Sequence, residues 1–318
     1  MSGPRLIIEA VEAATVTPIQ PDAGTTVAEL RAGQRFAGRF GCVRKDRLTA
    51  KNGSSYLSVE LRDRSGTLAA RVFREADRIG LRFERGDAVA ARGKVERYRG
   101  ELVAELGDVR RLEPGEWDPA EFLPAAYRSA EELEGFLEHL TREIADPKLQ
   151  AVVKRVVFAD PLAAEFRRAP CTRAGHHAYV GGLLEHTVSV ATLVGELCQL
   201  HPRLDSDLLM AAAIVHDAGK AREFTYGAEF GISEEGRLLG HLAIGAQVVG
   251  EAASGLEDER RLALLHCVLS HHGSDGGPLR SRPGAGGNRG FGSAEALALY
   301  RLNALDASVK GALEHGLG

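Results

Sequence analysis

The 318-residue chain has little paired cysteine, no long apolar run and almost no charge excess. Its four cysteines, Cys42, Cys171, Cys198 and Cys267, are scattered, and no two form a C-x-x-C pair. That excludes a disulfide scaffold and a cysteine-rich zinc site, and it fits a reducing cytoplasm. The longest strictly apolar run, Leu208 to Val215, is eight residues, far short of the ~20 that span a bilayer. The opening MSGPRLIIEAVEAA lacks the basic start, apolar core and cleavage site of a secretory leader. No membrane association is expected, and the expected location is cytoplasmic. Internal repeats are missing. Net charge is only -4, which by itself predicts no polyanionic partner. With 44% hydrophobic and 26% charged residues, the composition is that of a globular protein with room for two domains.

The charge distribution says more than its sum. Residues 1–111 hold 21 Lys+Arg against 15 Asp+Glu, and the remainder holds 19 against 29. All 11 histidines lie at or after His139. A basic, histidine-free front and an acidic, histidine-rich back suggest two jobs.

The front reads as strands. Ser55 to Arg62 alternates, with Leu57, Val59 and Leu61 on one face, and Asp63-Arg64-Ser65-Gly66 is turn chemistry. Thr67 to Phe73, Ala88 to Tyr98 and Glu101 to Leu106 follow, with Arg35 to Val43 before them all. Five short strands with glycine-bearing turns predict a small closed β-barrel. Ala76 to Phe83 suits the short helix that an OB-fold carries between its third and fourth strands, so an OB-fold is the first expectation and an SH3-like barrel the alternative. Arg39, Tyr56, Arg71, Phe73, Arg92, Lys94 and Tyr98 fall on outward faces, and Arg44, Lys45, Arg47 and Lys51 are assigned to the first long loop. Basic groups tracking a phosphate backbone beside aromatics that stack bases would make a platform for single-stranded nucleic acid. An ordinary solvated barrel with surface arginines would show many of the same residues.

A Pro/Gly/acidic junction, Leu112 to Pro119, then changes the periodicity to helical. The expected domains are an OB-fold over 1–113, a linker over 114–128 and an all-α bundle over 129–318. Ala130 to Ile144 has apolar residues at Leu133, Phe136, Leu137, Leu140 and Ile144, a 3.6-residue stripe. Pro147 to Phe158 and Ala163 to Phe166 continue it. Gly273 to Gly292, rich in Gly, Ser, Pro and Arg, reads as a surface loop or flap.

The chemistry sits with the histidines. His186 lies at the start of an apolar helix, His216-Asp217 ends the run that begins at Leu208, His241 starts another helical stretch, and His271-His272 ends Arg261 to Leu269. Gaps of 30, 25 and 30 residues are each one helix plus a loop, so these side chains can meet in one bundle core. Imidazole and carboxylate donors suit Mn, Fe, Zn or Mg, whereas soft metals would want thiolates. Asp217 could bridge two ions. His139, His201, His266 and His315 read as surface or structural residues.

The H…HD…H…H pattern resembles the ligand pattern of the HD superfamily of metal-dependent phosphohydrolases. Gly175-His176-His177-Ala178-Tyr179-Val180-Gly181-Gly182-Leu183-Leu184-Glu185-His186-Thr187 is similar to the signature of the YhaM-type 3′→5′ exoribonucleases, as are His216-Asp217-Ala218-Gly219-Lys220, Glu235 to His241, Leu269 to Gly273 and Glu295-Ala296-Leu297. The resemblance runs from about Val27 to Lys310. It implies an OB-fold followed by a helical HD domain, and hydrolysis of single-stranded RNA, or DNA, to nucleoside 5′-monophosphates. It implies His186, His216, Asp217 and His241 as metal ligands, with His271 and His272 completing a second position. One or two divalent ions are expected, Mn first and Fe, Zn, Co or Mg as alternatives. Asp217 and Lys220 would be catalytic, Lys220 by holding the scissile phosphate or balancing its developing charge. His176 and His177 would touch substrate phosphate or shape the site. A homo-oligomer is allowed.

The chain departs from the family text in two places. The last metal-ligand aspartate is here Asn303, so one negative charge is missing and metal affinity is expected to fall. Asp306, three residues on and near the same helix face, could substitute or could bridge helices. Ser274 to Gly292 is longer and richer in Gly and Arg than the matching stretch. Two other functions stay open at this point: an HD phosphohydrolase of small nucleotides with a merely structural barrel, and a non-catalytic nucleic-acid binder.

Overall fold

The computed structural model describes residues 26–50, 53–273 and 291–316. Two compact units divide the chain, Met1–Pro114 and Gly115–Gly318.

In the first unit, β1 (Arg35–Thr49), β2 (Ser55–Asp63), β3 (Gly66–Val72), β4 (Ala88–Tyr98) and β5 (Glu101–Arg111) close a barrel in the order β1-β2-β3-β5-β4. The helix α1 (Ala76–Gly80) lies between β3 and β4. β3 and β5 run parallel while every other pair is antiparallel. This is the OB-fold, not the SH3-like alternative. The alternation seen in the sequence is the inside–outside period of a strand. Leu57, Val59 and Leu61 on β2 and Leu68, Ala70 and Val72 on β3 fill the barrel with Phe36, Phe40 and Val95. Each large buried side chain contributes about 1.5–3 kcal/mol.

Two strand ends differ from expectation. β1 runs on to Thr49, so Arg44, Lys45 and Arg47 belong to a strand rather than a loop. A register shift between Cys42 and Arg44 hides this in the sequence by breaking the alternation. β5 likewise continues past Leu106 to Arg111 through another irregularity in its pairing with β4. Lys51 lies outside the described residues, as does nearly all of 273–292.

The second unit contains α2 (Ala130–Arg142), α3 (Pro147–Val157), α4 (Leu162–Arg168), α5 (Gly182–Leu200), α6 (Ser206–Val215), α7 (Lys220–Glu223), a hairpin of β6 (Phe224–Tyr226) and β7 (Phe230–Ile232), α8 (Glu234–Ala252), α9 (Asp258–Ser270) and α10 (Ala294–His315). The segment 115–128 is not a free linker. It buries Phe122 and Leu123 and bridges Ala125 to Val180, so it is part of this unit. α6 is apolar all round because it is buried all round, Leu208 to Val215 included. Asp205 caps its start by accepting from the Leu208 N–H. α6 thereby becomes the post around which α5, α9 and α10 pack. No helix among the described residues is long and apolar enough to cross a membrane.

Candidate metal centre

His186 projects from the first turns of α5, His216 caps the end of α6, Asp217 follows in the turn before α7, His241 sits on α8, His271 and His272 follow α9, and Asn303 is on α10. Main-chain packing brings them together. At Gly219 an added Cβ would lie 2.1 Å from the His241 carbonyl oxygen, so only glycine lets the turn after Asp217 approach α8 this closely. α8 is itself broken at Gly240, whose φ of 70° and ψ of 158° are non-helical, so a new helical segment begins at His241. Gly182 plays a matching part at the start of α5, against the His177 carbonyl oxygen.

The side chains form two groups that share one carboxylate. In the first, His186 Nε2 is 3.3 Å from His216 Nε2, 3.0 Å from Asn303 Oδ1 and 3.6 Å from Asp217 Oδ2, and His216 Nε2 is 3.3 Å from the same oxygen. In the second, Asp217 Oδ1 lies 3.2 Å from His271 Nε2 and 3.7 Å from His241 Nε2, and His241 Nε2 lies 2.9 Å from His272 Nε2. Ligand atoms of His186, His216 and Asp217, and separately of Asp217, His241, His271 and His272, are all within 4.8 Å of one another.

Elementary hydrogen bonding shows that these groups fit a cation. A carbonyl oxygen only accepts, so His216 Nδ1 must donate to Ala213 O at 2.9 Å, and His271 Nδ1 to Val268 O at 2.6 Å. Their Nε2 atoms are then lone pairs aimed at the cluster. Asn303 Nδ2 donates to His271 O at 3.1 Å, which turns Oδ1 the same way. His271 Nε2 and Asp217 Oδ1 are buried and have no hydrogen-bond partner among the described residues. Lone pairs converging with no donor between them repel one another unless a cation lies among them. Imidazole, carboxylate and amide donors suit a divalent ion such as Mn, Fe, Co, Zn or Mg.

Burial pushes the Asp217 carboxyl up, but Lys220 and the imidazoles of His216 and His271 outweigh it and hold it well below the usual range. Burial lowers His271 to about 3, which favours the neutral, ligating form. The unfolded chain takes up protons as pH falls through about 6.5, whereas folded His271 stays neutral until about pH 3. Its stability contribution is therefore complete above pH 6.5 and lost on acidification. We expect metal-free protein to lose roughly a kcal/mol per pH unit between pH 6.5 and 4 from this group, measured by urea denaturation in EDTA. A stability that stays flat across that window would show that His271 is not buried neutral.

Several residues expected at the site stand elsewhere or act otherwise. Lys220 is buried and donates to Asp217 Oδ2 at 2.7 Å and to Cys171 Sγ at 3.3 Å, so its charge orients the shared carboxylate. His177 is 1% exposed, with Nδ1 2.8 Å from the Tyr179 hydroxyl and Nε2 3.0 Å from Asp306 Oδ2, so it shapes the site from within. His176 remains partly exposed, 5.7 Å between ring centres from His186. Asp306 does not share the cluster with Asn303; it lies behind His186, 2.6 Å from Nδ1. Glu223, which no ligand pattern in the sequence singles out, stands behind His241 Nδ1 at 3.3 Å. Its position three residues after Lys220 in the turn following His-Asp was the available signal. Cys171, too, stands beside the cluster, next to Lys220. Burial pushes its thiol up to about 12, so it offers no thiolate.

On the barrel, Tyr56 and Phe73 are neighbours with ring centres 5.5 Å apart, and the Arg71 guanidinium lies 4.4 Å from the Tyr98 ring centre. Arg39, Arg44 and Lys94 are exposed, Arg44 and Lys94 in surface ion pairs with Asp46 and Glu96. Lys45 is different. Its ammonium donates to the carbonyls of Gly80 and Phe83 and pairs with Glu84, tying down the α1 region. It is committed to the barrel's own structure.

A barrel of this topology and a helical unit carrying this cluster define an OB-fold joined to a metal-dependent HD phosphohydrolase domain. Family models agree: an OB-fold nucleic acid binding domain matches residues 40–112 and an HD domain matches residues 183–307. The 3′-5′ exoribonuclease YhaM of Halalkalibacterium halodurans is 30% identical over 248 residues, 76% of either chain. The protein of that name from Bacillus subtilis is 32% identical over 227 residues, 70% of this chain and 72% of the relative. Among solved structures, the second OB-fold domain of replication protein A from Methanococcus maripaludis aligns at 18% identity and a TM-score of 0.24, over 29% of this chain and 96% of that domain. The chain belongs to the YhaM 3′-5′ exoribonuclease family.

Proposed function

We propose that this protein is a divalent-metal-dependent 3′-5′ exoribonuclease that shortens single-stranded RNA from its 3′ end and releases nucleoside 5′-monophosphates. The observation that supports this most is the convergence of imidazole lone pairs on both oxygens of Asp217. RNA as the polymer, manganese as the ion and the cytoplasm as the compartment belong to the same proposal. His186, His216, Asp217 and Asn303 would hold one ion, and Asp217, His241, His271 and His272 a second. When bound, such ions acidify water and offset the charge that builds on a phosphodiester during attack.

The chain's own residues do the rest. Lys220 fixes the rotamer of Asp217, so that one oxygen faces each group. Main-chain carbonyls at Ala213 and Val268 fix the tautomers of His216 and His271. His176, partly exposed beside His186, is available to meet a substrate phosphate. The barrel would retain the upstream strand by stacking bases on Tyr56, Phe73 and Tyr98, with Arg39, Arg44, Arg71 and Lys94 along the backbone. Retaining a polymer between successive cuts requires a binding surface separate from the cutting site.

A timed digestion of a 5′-labelled, 3′-tailed single-stranded oligoribonucleotide with Mn²⁺ tests the proposal. A descending ladder with mononucleotide release is expected, and an intact substrate would refute it. Replacing Tyr56 and Phe73 together by alanine should weaken oligonucleotide binding by about 1–3 kcal/mol per lost stack, read by fluorescence anisotropy. Unchanged affinity would instead favour a small-nucleotide substrate.

A further inference from the structure

The two groups of the metal centre hold one carboxylate, Asp217, between them, and Asn303 brings no charge. Opposite the cluster, on the far side of the His186 ring, a second carboxylate makes a short contact: Asp306 Oδ2 is 2.6 Å from His186 Nδ1. A carboxylate accepts, so Nδ1 carries the proton and Nε2 is left as a lone pair towards His216, Asn303 and Asp217. Asp306 is held in turn by His177 Nε2 at 3.0 Å. His177 Nδ1 lies 2.8 Å from the Tyr179 hydroxyl, which donates its proton to Glu185 at 2.8 Å, and Glu185 accepts from Lys310 at 3.0 Å. The chain of contacts therefore begins and ends on α10, crossing the loop before α5 on the way. His177 adopts a left-handed backbone, φ 49°, to face inward, which a non-glycine residue does at a cost.

Resting on the metal-dependent reading above, we infer that Asp306 is the positioning residue of His186, and that its carboxylate supplies through the imidazole the negative charge that Asn303 does not bring to the ion. A carboxylate hydrogen-bonded to a ligating imidazole fixes its tautomer and raises its basicity. Asn303 and Asp306 are three residues apart on one helix and reach opposite nitrogens of the same ring.

Mn²⁺ affinity, measured from the EPR signal of free Mn²⁺, separates the roles in wild type, Asp306→Asn, Asn303→Asp and the double variant. Asp306→Asn is expected to weaken binding by about 10–100-fold. The double variant, with the carboxylate returned to position 303, is expected to come back within about threefold of wild type, because the two sites couple through one ring. Wild-type affinity in Asp306→Asn overturns the assignment, and so does a double variant that folds but binds as weakly as Asp306→Asn. A second measurement needs no Asp306 variant. Imidazole ¹⁵N–¹H correlation spectra of metal-free wild type, with His186 assigned against His186→Gln, should place its proton on Nδ1, and a proton on Nε2 overturns the inference. Mn²⁺ binding by wild type with no effect of Asp306→Asn would sink this inference alone. No uptake of any divalent ion by wild type would sink it together with the hydrolase reading.

Discussion

His216→Ala is expected to abolish hydrolysis, by about 10³-fold or more, while oligonucleotide binding survives. The expectation follows from where His216 stands. It ends the most deeply buried helix of the second unit, its Nδ1 is fixed on Ala213 O, and its Nε2 is 3.3 Å from both His186 Nε2 and Asp217 Oδ2. No other described side chain can replace it without moving α6, which is packed on every side. The stacking residues belong to a different compact unit, so they should be indifferent to the change. Digestion of a labelled oligoribonucleotide and anisotropy with the same oligonucleotide give the two readings. Cleavage above one-hundredth of wild type would remove His216 from the centre, by the rough scale of a lost catalytic group. A parallel loss of binding would refute the two-site arrangement.

The second large effect concerns stability as much as catalysis. Asp217→Ala leaves the Lys220 ammonium buried beside a protonated thiol. Removing one partner of a buried pair costs about 3–5 kcal/mol, because the other charge remains without compensation. Metal retention should fail at both positions, since each uses one oxygen of Asp217. Chemical denaturation in EDTA measures the first effect and metal analysis of the purified protein the second. Asp217→Asn combined with Lys220→Met neutralises both partners at similar volume, and it should recover most of the lost stability and none of the activity. If the double variant were as unstable as Asp217→Ala, the cost would lie in packing rather than in the orphaned charge.

Much of this architecture could be read from residue patterns, because the period of a buried face is written in the chain. Leu57, Val59 and Leu61 announce a strand, and the apolar run into His216-Asp217 announces a buried helix that ends on the converging side chains. The pattern failed where the backbone breaks its own period. The shift after Cys42 concealed the second half of β1 and turned Lys45, a residue tied to Gly80 and Phe83, into an apparent loop cation. Within the centre, residue types and spacing pointed to the side chains that converge but not to what holds them. Two adjacent histidines look alike in a sequence, yet a single left-handed φ buries His177 and leaves His176 partly open. Lys220 looks like a phosphate binder, and its depth and its carboxylate partner show only in three dimensions. Asp306 and Asn303 share a helix face, and only through-space geometry reveals that one imidazole stands between them.

Gly219 bears on how far this centre could be retuned. There the main chain of one ligand-bearing turn rests against the main chain of another, with room for a hydrogen atom and nothing larger. The gauge between the two halves of the site is thus cut into the polypeptide itself. Exchanging donors can alter which ions are welcome, but widening or narrowing their separation would require rebuilding the scaffold beneath them.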